Sequence, residues 1–219
     1  MNILIAGATG LVGNELLQLA LQNELINSID LVSRRTIKTE HPKLEQHIVD
    51  FSDLKNWSCQ APIDTVFCSL GTTIKNAGSQ EKFKEVDFEY VINLAKWAES
   101  NKVQKFIVVS SMGADAKSSI FYKKIKGEMQ EVLSTLHIPS ISILQPSILM
   151  GNRQEFRLGE QIGISIMNIL NVLFVGPFKK YKGIHAITVA TAMLNLSKMK
   201  APGILISGND KLFEIAKLY

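Results

Sequence analysis

The chain has little of what a small secreted or metal-stapled domain relies on. Its 219 residues include two cysteines, Cys59 and Cys68, nine positions apart and without CxxC spacing. That excludes a disulfide scaffold and a zinc finger and fits a reducing compartment, so the expected location is the cytoplasm. The four histidines (His41, His47, His137, His185) show no HxxxH-type spacing, so all read as surface or loop groups and no metal is expected. His185 alone stands where it would line a cleft. Aromatic residues make up 7% of the chain, too few for a base-stacking surface, and no nucleic-acid partner is expected. The net charge of +4 is spread along the sequence, which permits anionic ligands without demanding a polyanion. No basic stretch and cleavage site mark a signal peptide. The longest charge-free apolar stretch, 161–178, bounded by Lys179, is interrupted by Gly163, Asn168, Asn171, Gly176 and Pro177, so no spanning membrane segment is expected. There is no repeat, low-complexity tract or linker.

What the chain has is a globular apolar content, 46%, in short runs alternating with longer amphipathic stretches. Strands are expected at 2–6, 28–33, 45–49, 64–69, 105–110, 140–145 and 203–207. Most are continuous apolar runs, the pattern of strands buried on both faces. Helices are expected at 11–23, 80–101, 120–137, 187–199 and 210–218. In the second, Val86, Tyr90, Leu94 and Trp97 form one stripe. Strand–helix alternation implies crossover connections and hence an α/β doubly wound parallel sheet of Rossmann type in a single domain, 1–219. The rhythm breaks between 148 and 183, where no strand is evident. Residues 151–185 read as a substrate-side insertion at the carboxyl end of the sheet.

The first strand runs into Gly7-Ala8-Thr9-Gly10-Leu11-Val12-Gly13 and then a helix. Gly7 allows the tight turn, Gly10 lets backbone approach a pyrophosphate, and Gly13 lets the helix pack closely on the strand. The helix N-terminus offers free N–H groups to phosphate. Gly7, Thr9, Gly10, Leu11, Val12 and Gly13 are therefore candidate dinucleotide-binding residues. The second strand ends in Ser33-Arg34-Arg35, where an NAD site would carry a carboxylate. Two guanidiniums and a hydroxyl suit a 2′-phosphate, so the expected cofactor is NADP. Asp30 lies too early in the strand to serve.

Tyr122 and Lys126 are four residues apart and share a helix face with Met129, Leu133 and Leu136. A nearby ammonium favours a phenolate, and a tyrosine so placed exchanges a proton with a carbonyl or alcohol oxygen. Lys126 can also bond the nicotinamide ribose. Ser110 and Ser111 end a strand, and alternation turns one of them, expected to be Ser111, to the cleft to hold the substrate oxygen. Ser111, Tyr122 and Lys126 are the candidate catalytic residues. The plainer alternative is that Tyr122 and Lys126 only hold the cofactor.

Taken together these motifs resemble the short-chain dehydrogenase/reductase superfamily. They are most similar to its atypical branch of small NADP-binding, Tat-interacting-protein-like oxidoreductases. The matching elements are the glycine loop, Cys68-Ser69-Leu70-Gly71-Thr72-Thr73, Ser110-Ser111-Met112-Gly113-Ala114, Tyr122 through Glu128, and Arg153 through Arg157. The resemblance implies further cofactor contacts: Asp50 and Phe51 near the adenine, Leu70, Gly71 and Thr72 behind the dinucleotide, Pro146, Ile148 and Leu149 at the nicotinamide, and Arg157 near the phosphates. Gln145 departs from the arginine of many relatives. Asp87 departs from the Val-Asn position of extended members, so an asparagine-dependent proton relay is not transferred.

The function expected is an NADP(H)-dependent oxidoreductase reducing a carbonyl, or oxidising an alcohol, on a small substrate. Two alternatives stand beside it. One is an NADPH-binding sensor or adaptor without turnover. The other is a nucleotide-sugar epimerase or dehydratase, disfavoured by the short Ser–Tyr connection and the small carboxyl-terminal region. The apolar segment 162–175 reads as a lid or a subunit contact, for a homodimer or a protein partner. Membrane contact, aided by Lys179, Lys180 and Lys182, is the second reading.

Overall fold

The computed structural model describes residues 1–151 and 182–218. The strands are β1 (Asn2–Ala6), β2 (Ser28–Ser33), β3 (Leu44–Ile48), β4 (Thr65–Cys68), β5 (Lys105–Val109), β6 (Ser140–Gln145), β7 (Leu149–Met150), β8 (Ile184–His185) and β9 (Gly203–Gly208). The helices are α1 (Leu11–Gln22), α2 (Ile74–Ala77), α3 (Gln80–Lys84), α4 (Tyr90–Ser100), α5 (Phe121–Leu133), α6 (Ala186–Lys198) and α7 (Asn209–Ile215), with a π-helical turn at Glu85–Glu89 between α3 and α4.

Seven strands form one sheet in the order β3-β2-β1-β4-β5-β6-β9, and every pairing is parallel. The order reverses between β1 and β4, the point at which open α/β sheets bind ligands beyond the carboxyl ends of their strands. Alternation along β1 divides the core. Ile3 and Ile5 face one layer with Leu16, Leu17, Val189, Met193 and Leu212. Leu4 and Ala6 face the other with Val66, Leu94, Trp97, Met129 and Leu133. All these side chains are withdrawn from water, which is why the central strands read as continuous apolar runs. The sheet edges depart from that expectation. β3 has no buried residue, and on β9 Ile204 and Ile206 are exposed.

The expected doubly wound parallel sheet is the one observed, with each of the seven strands within one residue of its expected bounds. Three local readings need correction. The single helix expected at 80–101 is divided by the π-helical turn, within which Asp87 is buried and Val86 half-buried. The helix expected to reach 137 stops at Leu133, because Ser134 through Leu136 fold back as a turn onto the last carbonyls of α5. Two short strands occur where none was evident. β7 follows β6 directly and pairs parallel with β8, closing the described ends of the 151–185 region. The remainder of that region, with Arg153, Arg157 and 162–175, lies outside the described residues.

One close approach fixes α5. A Cβ at Gly127 would overlap backbone atoms of Asp115 and Ala116, and Asp115 N–H donates to the Lys123 carbonyl at 3.0 Å. The loop after β5 thus lies directly on the helix carrying Tyr122 and Lys126. Gly127→Ala is expected to destabilise the fold by about 3 kcal/mol, because neither partner is a side chain that can swing away. Chemical denaturation measures it, and a shift under about 0.5 kcal/mol would show that the loop yields freely.

Candidate functional site

The carboxyl ends of β1, β2, β4, β5 and β6 lie along the same side of the sheet. At β1, Gly7 has φ +93°, and a Cβ there would sit 2.6 Å from the Ser69 carbonyl carbon. A Cβ on Gly13 would overlap the Gly7 carbonyl oxygen, so α1 packs against the turn only because both positions lack side chains. Gly10 is different: its missing Cβ would meet only Gly7 O, at 3.3 Å, and the residue is exposed. Internal packing does not require a glycine there. An approaching ligand would. The first turn of α1 has neither a capping side chain nor an acidic residue. Its N–H groups and dipole end are free to receive an anion, which is the fit a dinucleotide pyrophosphate requires.

At β2, Ser33 is half-buried and its hydroxyl donates to the Arg35 carbonyl at 2.5 Å, which fixes the turn. Arg34 and Arg35 are exposed, and among the described residues neither is in an ion pair. Glu85 is held below the usual carboxylate range by hydrogen bonds from Lys82 and then Tyr90, with the charges of Lys82 and Arg34 adding to this. Tyr90 donates to Glu85 at 2.6 Å, and that bond pushes its phenol up to about 12. Asp50 is exposed and accepts from Ser52, which holds its carboxyl low. Phe51 is buried, its ring 5.5 Å from that of Tyr90 and its carbonyl accepting from Asn93 Nδ2 at 2.9 Å.

At β5 the two serines separate cleanly. Ser110 is buried and its Oγ accepts from Gln130 Nε2 at 2.6 Å, while Gln130 Oε1 accepts from Gln145 at 3.0 Å. Gln145, where many relatives carry arginine, thus ends a polar chain running from β6 to β5 through α5. Among the described residues the Ser111 hydroxyl is shielded from water and has no partner, a state it shares with those of Ser28 and Ser207, of which it alone lies just after β5. A buried hydroxyl without a hydrogen bond costs about 1–3 kcal/mol, so such a group commonly serves a ligand. Met112 N–H donates to the Pro146 carbonyl at 2.9 Å, joining this loop to the segment after β6, where Pro146 is buried, Leu149 half-buried and Ile148 exposed. His185 is exposed at the end of β8.

Tyr122 is half-buried in the first turn of α5, its ring 5.5 Å from that of Phe83. One turn on, Lys126 Nζ lies 2.7 Å from Asp87 Oδ1, with side-chain exposures of 4% and 1%. Asp87 Oδ2 accepts from Thr72 N–H at 2.7 Å, which anchors the loop Leu70–Gly71–Thr72 after β4. Burial alone would lower the lysine's proton affinity; the charge of Asp87, then Tyr122, and the hydrogen bond it donates to Asp87 carry it above its ordinary value. Asp87 was seen in the sequence only as a departure, yet it is the side chain that joins Lys126 to the loop after β4. The sequence offered no signal that singles it out, since Glu81, Glu85 and Glu89 stand on the same stretch.

The histidines need one correction. His47 is no surface group: it lies on β3, half-buried, with Nε2 2.7 Å from Asp30 Oδ1 and its ring against Trp57. Asp30, Glu45 and His47 have ligand atoms within 4.8 Å of one another, though the Asp30–His47 hydrogen bond already satisfies the buried carboxylate. Cys59 and Cys68 are both free, and burial first of all pushes each thiol up to about 12, which keeps them unreactive.

Comparison with known proteins agrees with this arrangement. The model of the NAD dependent epimerase/dehydratase family matches residues 3–211. The rat protein HTATIP2 is 32% identical over 97% of this chain and 86% of its own length. Protein FMP52, mitochondrial, of Candida albicans is 33% identical over 99% of this chain and 98% of its own. Among solved structures, UDP-glucose 4-epimerase of Thermotoga maritima with UDP-glucose superposes at a TM-score of 0.68 and 15% identity, covering 99% and 82% of the two chains. MoeE5 in complex with UDP-glucose and NAD does so at 0.71 and 15%, covering 99% and 81%. At that identity the likeness is of fold alone. The mitochondrial names of the fungal relatives overturn the cytoplasmic location read from the two cysteines; a low cysteine count does not distinguish one reducing compartment from another. No helix among the described residues is long and apolar enough to cross a membrane. With its glycine loop and parallel sheet, the chain belongs to the NAD dependent epimerase/dehydratase family, in the atypical, Tat-interacting-protein-like branch of the short-chain dehydrogenase/reductases.

Proposed function

We propose that the protein is an NADP(H)-dependent oxidoreductase that reduces a carbonyl, or oxidises an alcohol, on a small substrate. The observation that carries this reading is the Ser111 hydroxyl, buried and without a partner among the described residues, in the loop after β5 that packs on the helix bearing Tyr122 and Lys126. Ser111 holds the substrate oxygen, and Tyr122 gives it a proton or takes one away. Lys126 bonds the nicotinamide ribose. When bound, the cofactor supplies or accepts the hydride. Gly7 and Thr9 through Gly13 hold its pyrophosphate. Ser33, Arg34 and Arg35 take the 2′-phosphate, Asp50 and the Phe51 backbone border the adenine, and Leu70 through Thr72 support the dinucleotide. Pro146, Ile148 and Leu149 line the nicotinamide, with Arg157 near the phosphates. The chain works as one domain, with 151–185 shaping the substrate side. The names of the fungal relatives carry the accompanying proposal that it is mitochondrial.

Replacing Arg34 and Arg35 together by alanine is expected to weaken NADPH binding by about 10–100-fold, the worth of one or two charge-assisted hydrogen bonds, and to leave NADH binding unchanged. Fluorescence titration measures both. Equal affinity of the unmodified protein for NADPH and NADH would remove the case for NADP. Tight NADPH binding without consumption of any carbonyl compound would turn the reading to a sensor. Turnover of a nucleotide sugar would turn it to an epimerase or dehydratase.

A further inference from the structure

The oxidoreductase reading places Lys126 by its spacing from Tyr122, but the structure gives it a second attachment. Both oxygens of Asp87 are committed: one lies 2.7 Å from Lys126 Nζ, the other accepts the Thr72 N–H at 2.7 Å. The contact is tight on the loop side too, since a Cβ at Gly71 would lie 3.3 Å from Asp87 Oδ1. One carboxylate therefore ties together the loop after β4, the π-helical turn and α5. Asp87 is 1% exposed and its partners are the Lys126 ammonium and a backbone N–H, which points to a structural and electrostatic role.

We infer that Asp87 is the positioning residue of this site: it keeps Lys126 an ammonium at a fixed point beside Tyr122 and holds the Leu70–Thr72 loop in register with it. This rests on the oxidoreductase reading for its purpose, though not for its geometry. A lysine this buried sheds its proton readily when unpaired. The charged and titratable groups facing Lys126 are Asp87 from the π-helical turn, Tyr122 from α5 and Cys68 from β4. Tyr122 donates its proton only in the reductive direction, and the Cys68 thiol, pushed up to about 12, is uncharged. The compensating charge that is always present is Asp87. An asparagine there would still accept from Thr72 N–H through its carbonyl, but would bring no charge.

The test uses the full chain with 15N-labelled lysine. The Lys126 ammonium signal is followed by NMR from about pH 6 to about pH 11 in the unmodified protein and in Asp87→Asn. In the unmodified protein the signal should persist above the ordinary lysine value, about pH 10.4. In the variant it should titrate about 1–3 pH units lower, and NADPH affinity should fall over the same lower range. Loss of the signal below about pH 9.5 in the unmodified protein would overturn the inference, even if the variant fails to fold. So would identical titrations in the two proteins, or a loss of NADPH affinity equal at every pH, which would mark a purely structural role. An unmodified protein that binds no dinucleotide would instead defeat the oxidoreductase reading, while the ammonium titration would still judge Asp87.

Discussion

Tyr122→Phe is expected to lower turnover by about 10²–10⁴-fold, the usual contribution of a positioned general acid or base, with NADPH affinity unchanged. The substitution removes one oxygen and little else. The ring is held by its contact with Phe83, 5.5 Å between centroids, and phenylalanine keeps that contact. Lys126 is anchored to Asp87 rather than to Tyr122, so the cofactor end of the site stays in place. The loss should therefore fall on kcat and on kcat/KM alike, as for an interaction made only in the transition state. Single-turnover rates of NADPH oxidation with a carbonyl substrate measure it. Equal rates in the two proteins would remove Tyr122 as the acid and leave it a cofactor contact. A parallel change in NADPH affinity would mean that the hydroxyl binds rather than reacts.

The sheet was legible because periodicity and punctuation agree in the central strands. Apolar runs at β1, β2, β4, β5 and β6 are bounded by turns, and parallel strands buried on both faces leave no other pattern. The glycine loop was legible for a mechanical reason, since Gly7 and Gly13 occupy positions where a Cβ would collide with backbone. Ser111 and Ser110 were not separable by sequence, because the distinction depends on Gln130 reaching Ser110 from a different helix. Asp87 was misjudged for a related reason. Four residues from both Phe83 and Val91, Asp87 shares their buried helix face, but its partner Lys126 comes from another helix, which periodicity does not reveal. His47 reads as polar and exposed until β2 supplies the buried carboxylate opposite it. Side chains whose role is set by a partner from another element are those that periodicity cannot place.

The largest stability effect should come from the same buried pair. Lys126→Met is expected to cost about 3–5 kcal/mol, because it leaves the Asp87 carboxylate, 1% exposed, without its counter-charge. For a chain of this length that corresponds to a fall in Tm of roughly 6–20 °C. The cost reflects a charge left stranded more than attraction lost, so removing both charges should be mild. Asp87→Leu combined with Lys126→Met should recover most of the loss, apart from about 1 kcal/mol for the Thr72 N–H left without an acceptor. The pH dependence follows from the direction of the lysine's shift. Lys126 binds its proton more tightly folded than unfolded, so its contribution is complete below the unfolded value, about 10.4, and is lost as pH rises through the folded one. The difference in stability between the unmodified protein and the Lys126→Met, Asp87→Leu double variant should accordingly shrink only at strongly alkaline pH. Denaturation of the four proteins of this cycle at neutral and alkaline pH measures both effects. A double variant as unstable as Lys126→Met alone would mean that packing around the aliphatic chain of Lys126, and not the pairing of charges, holds α5 to the loop after β4.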